Sequence, residues 1–188
     1  MFVLCLNEGC GTNNGEGQTS SANIPPQTRD QYKISIAKLI SLNKDTKENI
    51  EAYLKSRHFD HTVIKPAANG NNCTIWGFLY GDEKSPDPVS ARVEYCVSPQ
   101  GVFDGLTYWI IEDKYYYECL NEIDKMGFKL FKEKINSKGE VAKIFTDEPT
   151  KTVLIVGSEK VENGQAKMTG YSFSIMKWDE FQNLLQQK

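Results

Sequence analysis

Histidine is scarce in this 188-residue chain: there are two, His58 and His61, against 22 basic and 25 acidic side chains. That scarcity narrows the chemistry, because a Ser or Cys nucleophile usually draws its base from imidazole, and zinc sites draw on imidazole or paired thiolates. The two rings flank Asp60 where a helix reads as ending, so they diverge and read as a solvated pair; no metal site is expected. None of the five cysteines forms a C-x-x-C pair, and G-x-S-x-G, G-x-x-x-x-G-K-[ST] and G-x-G-x-x-G are all missing. Thioredoxin-like redox chemistry, a serine elbow and a phosphate or dinucleotide cradle therefore lack their residues, and no cofactor is expected. Acids and bases are interspersed to a net charge of −3, without the basic stripe that phosphate neutralisation needs, so nucleic acid is not an expected partner. No apolar run reaches the 18 residues or more of a spanning helix.

What is present begins with an apolar stub, Met1-Phe-Val-Leu-Cys-Leu6, followed by Asn-Glu-Gly-Cys10 and a tether rich in Gly, Thr, Asn, Ser and Pro up to Gln27. Such a stretch has too little apolar surface to offset its ordering entropy. The stub and Gly9-Cys10 resemble the end of a bacterial lipoprotein signal, which implies export, lipidation at Cys10 and membrane contact through that anchor alone. The expected location is periplasmic or membrane-anchored, with a cytoplasmic chain carrying a disordered N-terminus as the alternative. Residues 1–27 are thus set apart from a single domain, 28–188, of two parts, 28–111 and 112–188.

Within that domain, Tyr32, Ile36, Leu39 and Ile40 predict a helix, although Ile34 and Ile36 also alternate as a strand would. Asp45 or Thr46 caps a second helix that stops near His58, with Phe59 anchoring its exit. Strands are expected at Val63-Ile64, Thr74–Tyr80, Val89–Val97 and Leu106–Ile111. The order then repeats. A helix runs from about Asp113 to a stop at Gly127, Phe128 stands where Phe59 stood, and strands follow at 130–131, 140–146, 152–158 and 167–176 before a short terminal helix with Trp178 and Phe181. The pattern predicts an α+β fold of two tandem α-β-β-β-β repeats, an antiparallel sheet with helices packed on one face. This layout resembles the secreted β-lactamase-inhibitor proteins, tandem repeats of helices on a four-stranded antiparallel sheet. The resemblance implies an exposed concave sheet face turned to a partner enzyme; it lies in the order of elements and carries no binding residue over.

The strands 74–80 and 89–97 fix a register. Pairing Tyr80 with Val89 also sets Phe78 opposite Ala91 and Trp76 opposite Val93, whereas a slip of one residue would bury Arg92 and Glu94. The same ladder sets Cys73 opposite Cys96 on the outer face, within disulfide reach, while Cys119 is a buried helix thiol. Glu112-Asp113 and Asp179-Glu180 sit at helix starts, where capping and the helix dipole account for them. Aromatics crowd the first half, and strand alternation and helix geometry require some to be exposed; Trp109, Tyr108 and Tyr117 are the candidate binding surface. No catalytic residue is singled out. The expected function is a non-enzymatic cell-envelope binding module for a protein or glycan, with an inhibitor or immunity protein against an extracellular enzyme or toxin as the alternative. A hydrolase using carboxylates is a second alternative.

Overall fold

In the structure, a computed structural model, the described residues are 28–66, 70–80, 89–99, 103–135, 139–163 and 166–186. Eight strands form one sheet: β1 (His61–Pro66), β2 (Asn72–Tyr80), β3 (Val89–Val97), β4 (Phe103–Ile110), β5 (Lys129–Ile135), β6 (Val141–Asp147), β7 (Thr152–Asn163) and β8 (Ala166–Met176). Their order is β1-β2-β3-β4-β8-β7-β6-β5, every neighbouring pair antiparallel. Two four-strand meanders thus meet through their last strands, with Thr107 opposite Ser174 and Tyr108 opposite Phe173. β1 and β5 are the two edges.

Period-two alternation gives the sheet one apolar face. The row Trp76, Val93, Tyr108, Phe173, Val156 crosses five strands, and all five side chains are buried. Turning any strand by one residue would exchange this row for its neighbour, Gly77, Arg92, Trp109, Ser172, Gly157, and strand the charge in the core. Each large aliphatic side chain buried on the correct face contributes about 1.5–3 kcal/mol, so register is strongly specified. In β2 and β3 it is the register that the alternation predicts, from Cys73 opposite Cys96 to Tyr80 opposite Val89.

The apolar face is covered by α1 (Ile36–Leu42), α2 (Lys47–Ser56) and α3 (Asp113–Lys125), whose Ile36, Leu39, Leu42, Ile50, Leu54, Cys119 and Ile123 join the sheet in one cluster. The single helix expected around Tyr32–Ile40 is instead a 3-10 turn, Arg29–Tyr32, and then α1. The break falls where Ile34 and Ile36 alternate: Ile34 is fully buried, and Ser35 then caps α1 by accepting from Lys38 N. Glu122 of α3 completes that cap, its two carboxylate oxygens accepting the Ile36 and Ala37 amides at 2.9 and 3.0 Å. An anion on the first amides of a helix is favoured by their unpaired donors and by the dipole. Arg57 performs the converse service at 2.8–3.3 Å, its guanidinium donating to the carbonyls of Asp30, Gln31 and Lys33. The short terminal helix α4 (Trp178–Gln186) packs on β7. Its Phe181 and the outward-pointing Val153 are both buried, yet outside the main cluster.

α2 and α3 stop in the same way. Phe59 N donates to Leu54 O and His58 N to Lys55 O; Phe128 N donates to Ile123 O and Gly127 N to Asp124 O. Both are Schellman closures, which require a left-handed residue after the cap. Gly127 fills that place at φ +85°, but in α2 it falls to His58 at φ +61°. His58→Gly should therefore raise stability by about 1 kcal/mol, read as a rise in the thermal midpoint, with Gly127→His losing a similar amount.

Burial also perturbs acids on the helix side. The Tyr171 hydroxyl is pushed up to about 12, first by burial and then by its 2.9 Å hydrogen bond to Asp113 Oδ1. Burial also raises Tyr115 and Tyr108 and pushes the Cys119 thiol up to about 12. A tyrosine whose folded pKa exceeds its unfolded value, near 10, adds stability that is full below that value and is lost as pH rises toward 12. Denaturant midpoints should fall steeply above about pH 10, and Tyr171→Phe should flatten part of that fall while keeping the ring's stack on Tyr116, whose centroid lies 3.9 Å away.

Candidate functional site

The face of the sheet turned away from α1–α3 carries a trough of about 500 Å³. Its floor is made of small residues, Gly157 on β7 and Ser172 on β8. A Cβ on Gly157 would stand 2.6 Å from Ser172 Oγ, so the two strands are bare here because each neighbour is minimal. Arg92, Glu94 and Trp109 wall one side; Lys134, Glu140 and Ala142 wall the other. A smaller hollow of about 200 Å³ adjoins it through Thr107, lined by Cys96, Gly105, Ile155 and Ser174.

The first wall is a braced stack. Trp109 lies across Gly170 of β8, where a Cβ would come within 2.5 Å of the indole, and its Nε1–H donates to Glu159 Oε1 on β7 at 3.2 Å. The Arg92 guanidinium covers the indole at 4.7 Å from the ring centroid while its Nε sits 2.8 Å from Glu94 Oε1. One aromatic thus ties β3, β4 and β7 together over β8. Thr107 Oγ1 and Ser174 Oγ, 2.8 Å apart, close the β4–β8 seam beside it.

The three aromatics proposed as one binding surface do not form one. Tyr108 is fully buried among the helices, its hydroxyl donating to Tyr32 O at 2.8 Å, because alternation that turns Trp109 outward turns Tyr108 inward. Tyr117 is exposed, but on α3, in the helix layer. Trp109 alone reaches the trough, only 9% exposed between Gly170 and Arg92. Sequence reasoning missed Arg92, Glu94, Gly157, Glu159 and Ser172. The signal was there in the outward positions of β3, β7 and β8, two glycines and two serines facing the one bulky outward aromatic.

Cys73 and Cys96 face each other across β2 and β3 as a disulfide, S–S 2.04 Å, and Cys119 is a buried free thiol. Cys10 lies outside the described residues. Glu112 occupies the N-cap position of α3 without a side-chain capping bond; it pairs instead with Arg29 at 3.5 Å, and Asp113 takes the Tyr171 hydroxyl. His58 sits beside Asp60 at 3.9 Å. Among the described residues no group of three or more His, Cys, Asp or Glu is disposed to hold a metal ion, and no helix is long and apolar enough to cross a membrane. No protein-family model, curated protein or solved structure matches the chain.

The Trp109–Gly170 contact is measurable. Gly170→Ala should cost about 1–3 kcal/mol by overpacking the indole, and most of that cost should vanish in a Trp109→Ala background, giving a large coupling in a double-mutant cycle.

Proposed function

We propose that this protein is a non-enzymatic binding module of the cell envelope, held through Cys10, that takes a protein partner on the face of its sheet turned away from α1–α3. The observation that carries the reading is the trough: an open concavity with a small-residue floor and charged walls, on the sheet face that α1–α3 leave uncovered. A glycan stacks on a free aromatic face, and both faces of Trp109 are taken, by Gly170 and by Arg92; this favours a polypeptide over a sugar. The carboxylates of the wall are likewise engaged, Glu94 by Arg92 and Glu159 by the indole, which leaves the hydrolase reading without an observation in its favour. The Cys73–Cys96 disulfide supports an oxidising compartment, since such bonds persist outside the reducing cytosol. An inhibitor or immunity protein is the form of this reading favoured by the concave sheet face.

The two halves of the sheet are, on this reading, tandem repeats. A two-fold between Tyr108 and Phe173 would bring Val93 onto Val156, Ala91 onto Leu154, Ile110 onto Ile175 and Phe78 onto Phe145, apolar onto apolar, while Trp76 falls on Lys143. The matching Schellman closures at Phe59 and Phe128 support it. On the outer face the same operation brings Trp109 onto Ser174, Arg92 onto Ile155 and Glu94 onto Gly157. The halves agree in four packed positions around the seam, differ at Trp76 and Lys143, and differ where the trough lies. A duplicated scaffold in which one copy keeps the bulky wall and the other the bare floor accounts for both.

The test is affinity capture from the envelope fraction of the source cell, using the native chain and Ser172→Arg, which fills the floor from a partly exposed position. A partner retained by the native protein and lost by a variant of unchanged thermal midpoint is the expected result. Equal capture by both would contradict the reading.

A further inference from the structure

The two edges of the sheet are guarded unequally. β5 exposes Leu130, Phe131 and Ile135 but intersperses Lys129, Lys132, Glu133 and Lys134, and a bulge between Leu130 and Lys132 leaves Phe131 out of the ladder to pack on Phe181 at 5.0 Å. Charges, lysines above all, and bulges are what keep an edge from pairing with another strand. β1 carries Lys65 and Pro66 at its C-terminal end but no such guard at Thr62–Ile64. Thr62-Val63-Ile64 is an uncharged run, Val63 is 46% and Ile64 71% exposed, and the ladder to β2 runs without a shift from His61 to Pro66. The unbulged centre of this edge strand presents outward amides and carbonyls that no neighbouring strand takes among the described residues.

We propose that β1 is the homodimer edge of this protein, pairing antiparallel with β1 of a second copy about a two-fold at Val63. The occupant follows from self-complementarity. In that register Val63 meets Val63 and Thr62 meets Ile64 of the second copy, twice over, so that apolar and β-branched pairs form at the centre, while Lys65 stands opposite His61 at each end. Pro66, which has no amide to give, falls outside the ladder. The same operation on β5 sets Lys132 against Lys132, or one residue on Glu133 against Glu133, which like-charge repulsion disfavours. A two-fold standing perpendicular to the sheet keeps each face on its own side. The helix layers of both copies then lie on one side and both troughs on the other, so the dimer presents two troughs to the same surface and gains avidity toward a repeated or immobilised partner. A short ladder of this kind buries little area, and the association is weak and reversible.

Sedimentation velocity of the full chain across a roughly hundredfold concentration range reads this directly. The weight-average mass should rise from 21.3 kDa toward twice that value. Ile64→Lys should hold it at the monomer, as should Val63→Lys, which guards against a fault peculiar to one variant; both sites are exposed, so thermal midpoints should stay within a degree or two. Ile135→Lys, on the other edge, should associate like the native chain. A native chain that remains at the monomer mass throughout overturns the proposal. So does association that survives both β1 variants, or that Ile135→Lys abolishes.

Discussion

The seam between β4 and β8 is the interaction on which the rest of the structure depends. Four residue pairs, from Thr107 with Ser174 to Ile110 with Tyr171, join two meanders that otherwise share no strand. On its inner side Tyr108 stacks against Phe173 at 6.3 Å and sends its hydroxyl to Tyr32 O, so the seam also anchors the segment that leads into α1. On its outer side Trp109 reaches over Gly170 to Glu159. The second half supplies the floor and the wall of Lys134, Glu140 and Ala142, and the first half closes the trough with Arg92, Glu94 and Trp109. The concavity exists only where the halves meet.

That junction explains the division of labour between faces. The inner face of the central strands is constrained by packing, because Trp76, Val93, Tyr108, Phe173 and Val156 are buried in one cluster with the helices and a void or clash costs kilocalories. The outer face is constrained where α4 covers Val153 and where Trp109 lies down, and at the latter it demands glycine at 170. Elsewhere the outer positions of β7 and β8 are free to be small. A wall from one half over a floor from the other is a low-cost way to make a concave surface on a sheet that needs no loops to shape it.

Much of the fold was legible because β-strand alternation is a local signal. The register of β2 on β3, including Cys73 opposite Cys96, follows from the placement of Trp76, Phe78, Arg92 and Glu94 alone. The stop of α3 at Gly127 was legible for the same reason. What escaped were features set by partners distant in the chain. The N-terminus of α1 depends on Glu122, 86 residues from Ile36, so the helical spacing from Tyr32 to Ile40 was read as one element when Ser35 divides it. The direction of Tyr108 and Trp109 was undetermined until β8 was placed beside β4, since alternation says that the two differ but not which is inside. Glu112 next to Asp113 looked like a capping pair, yet Arg29 draws the first away. The trough was the least legible feature, being a property of six strands from both halves.

If the seam is what holds the two meanders as one body, they cannot open separately. Native-state hydrogen exchange measures this directly. Amides of β4 and β8 at Thr107–Ile110 and Tyr171–Ser174, together with those of β3 and β7, should exchange only through global unfolding, all with one opening free energy and one denaturant dependence. Two distinct isotherms, with β1–β4 and β5–β8 opening at different free energies, would contradict the account.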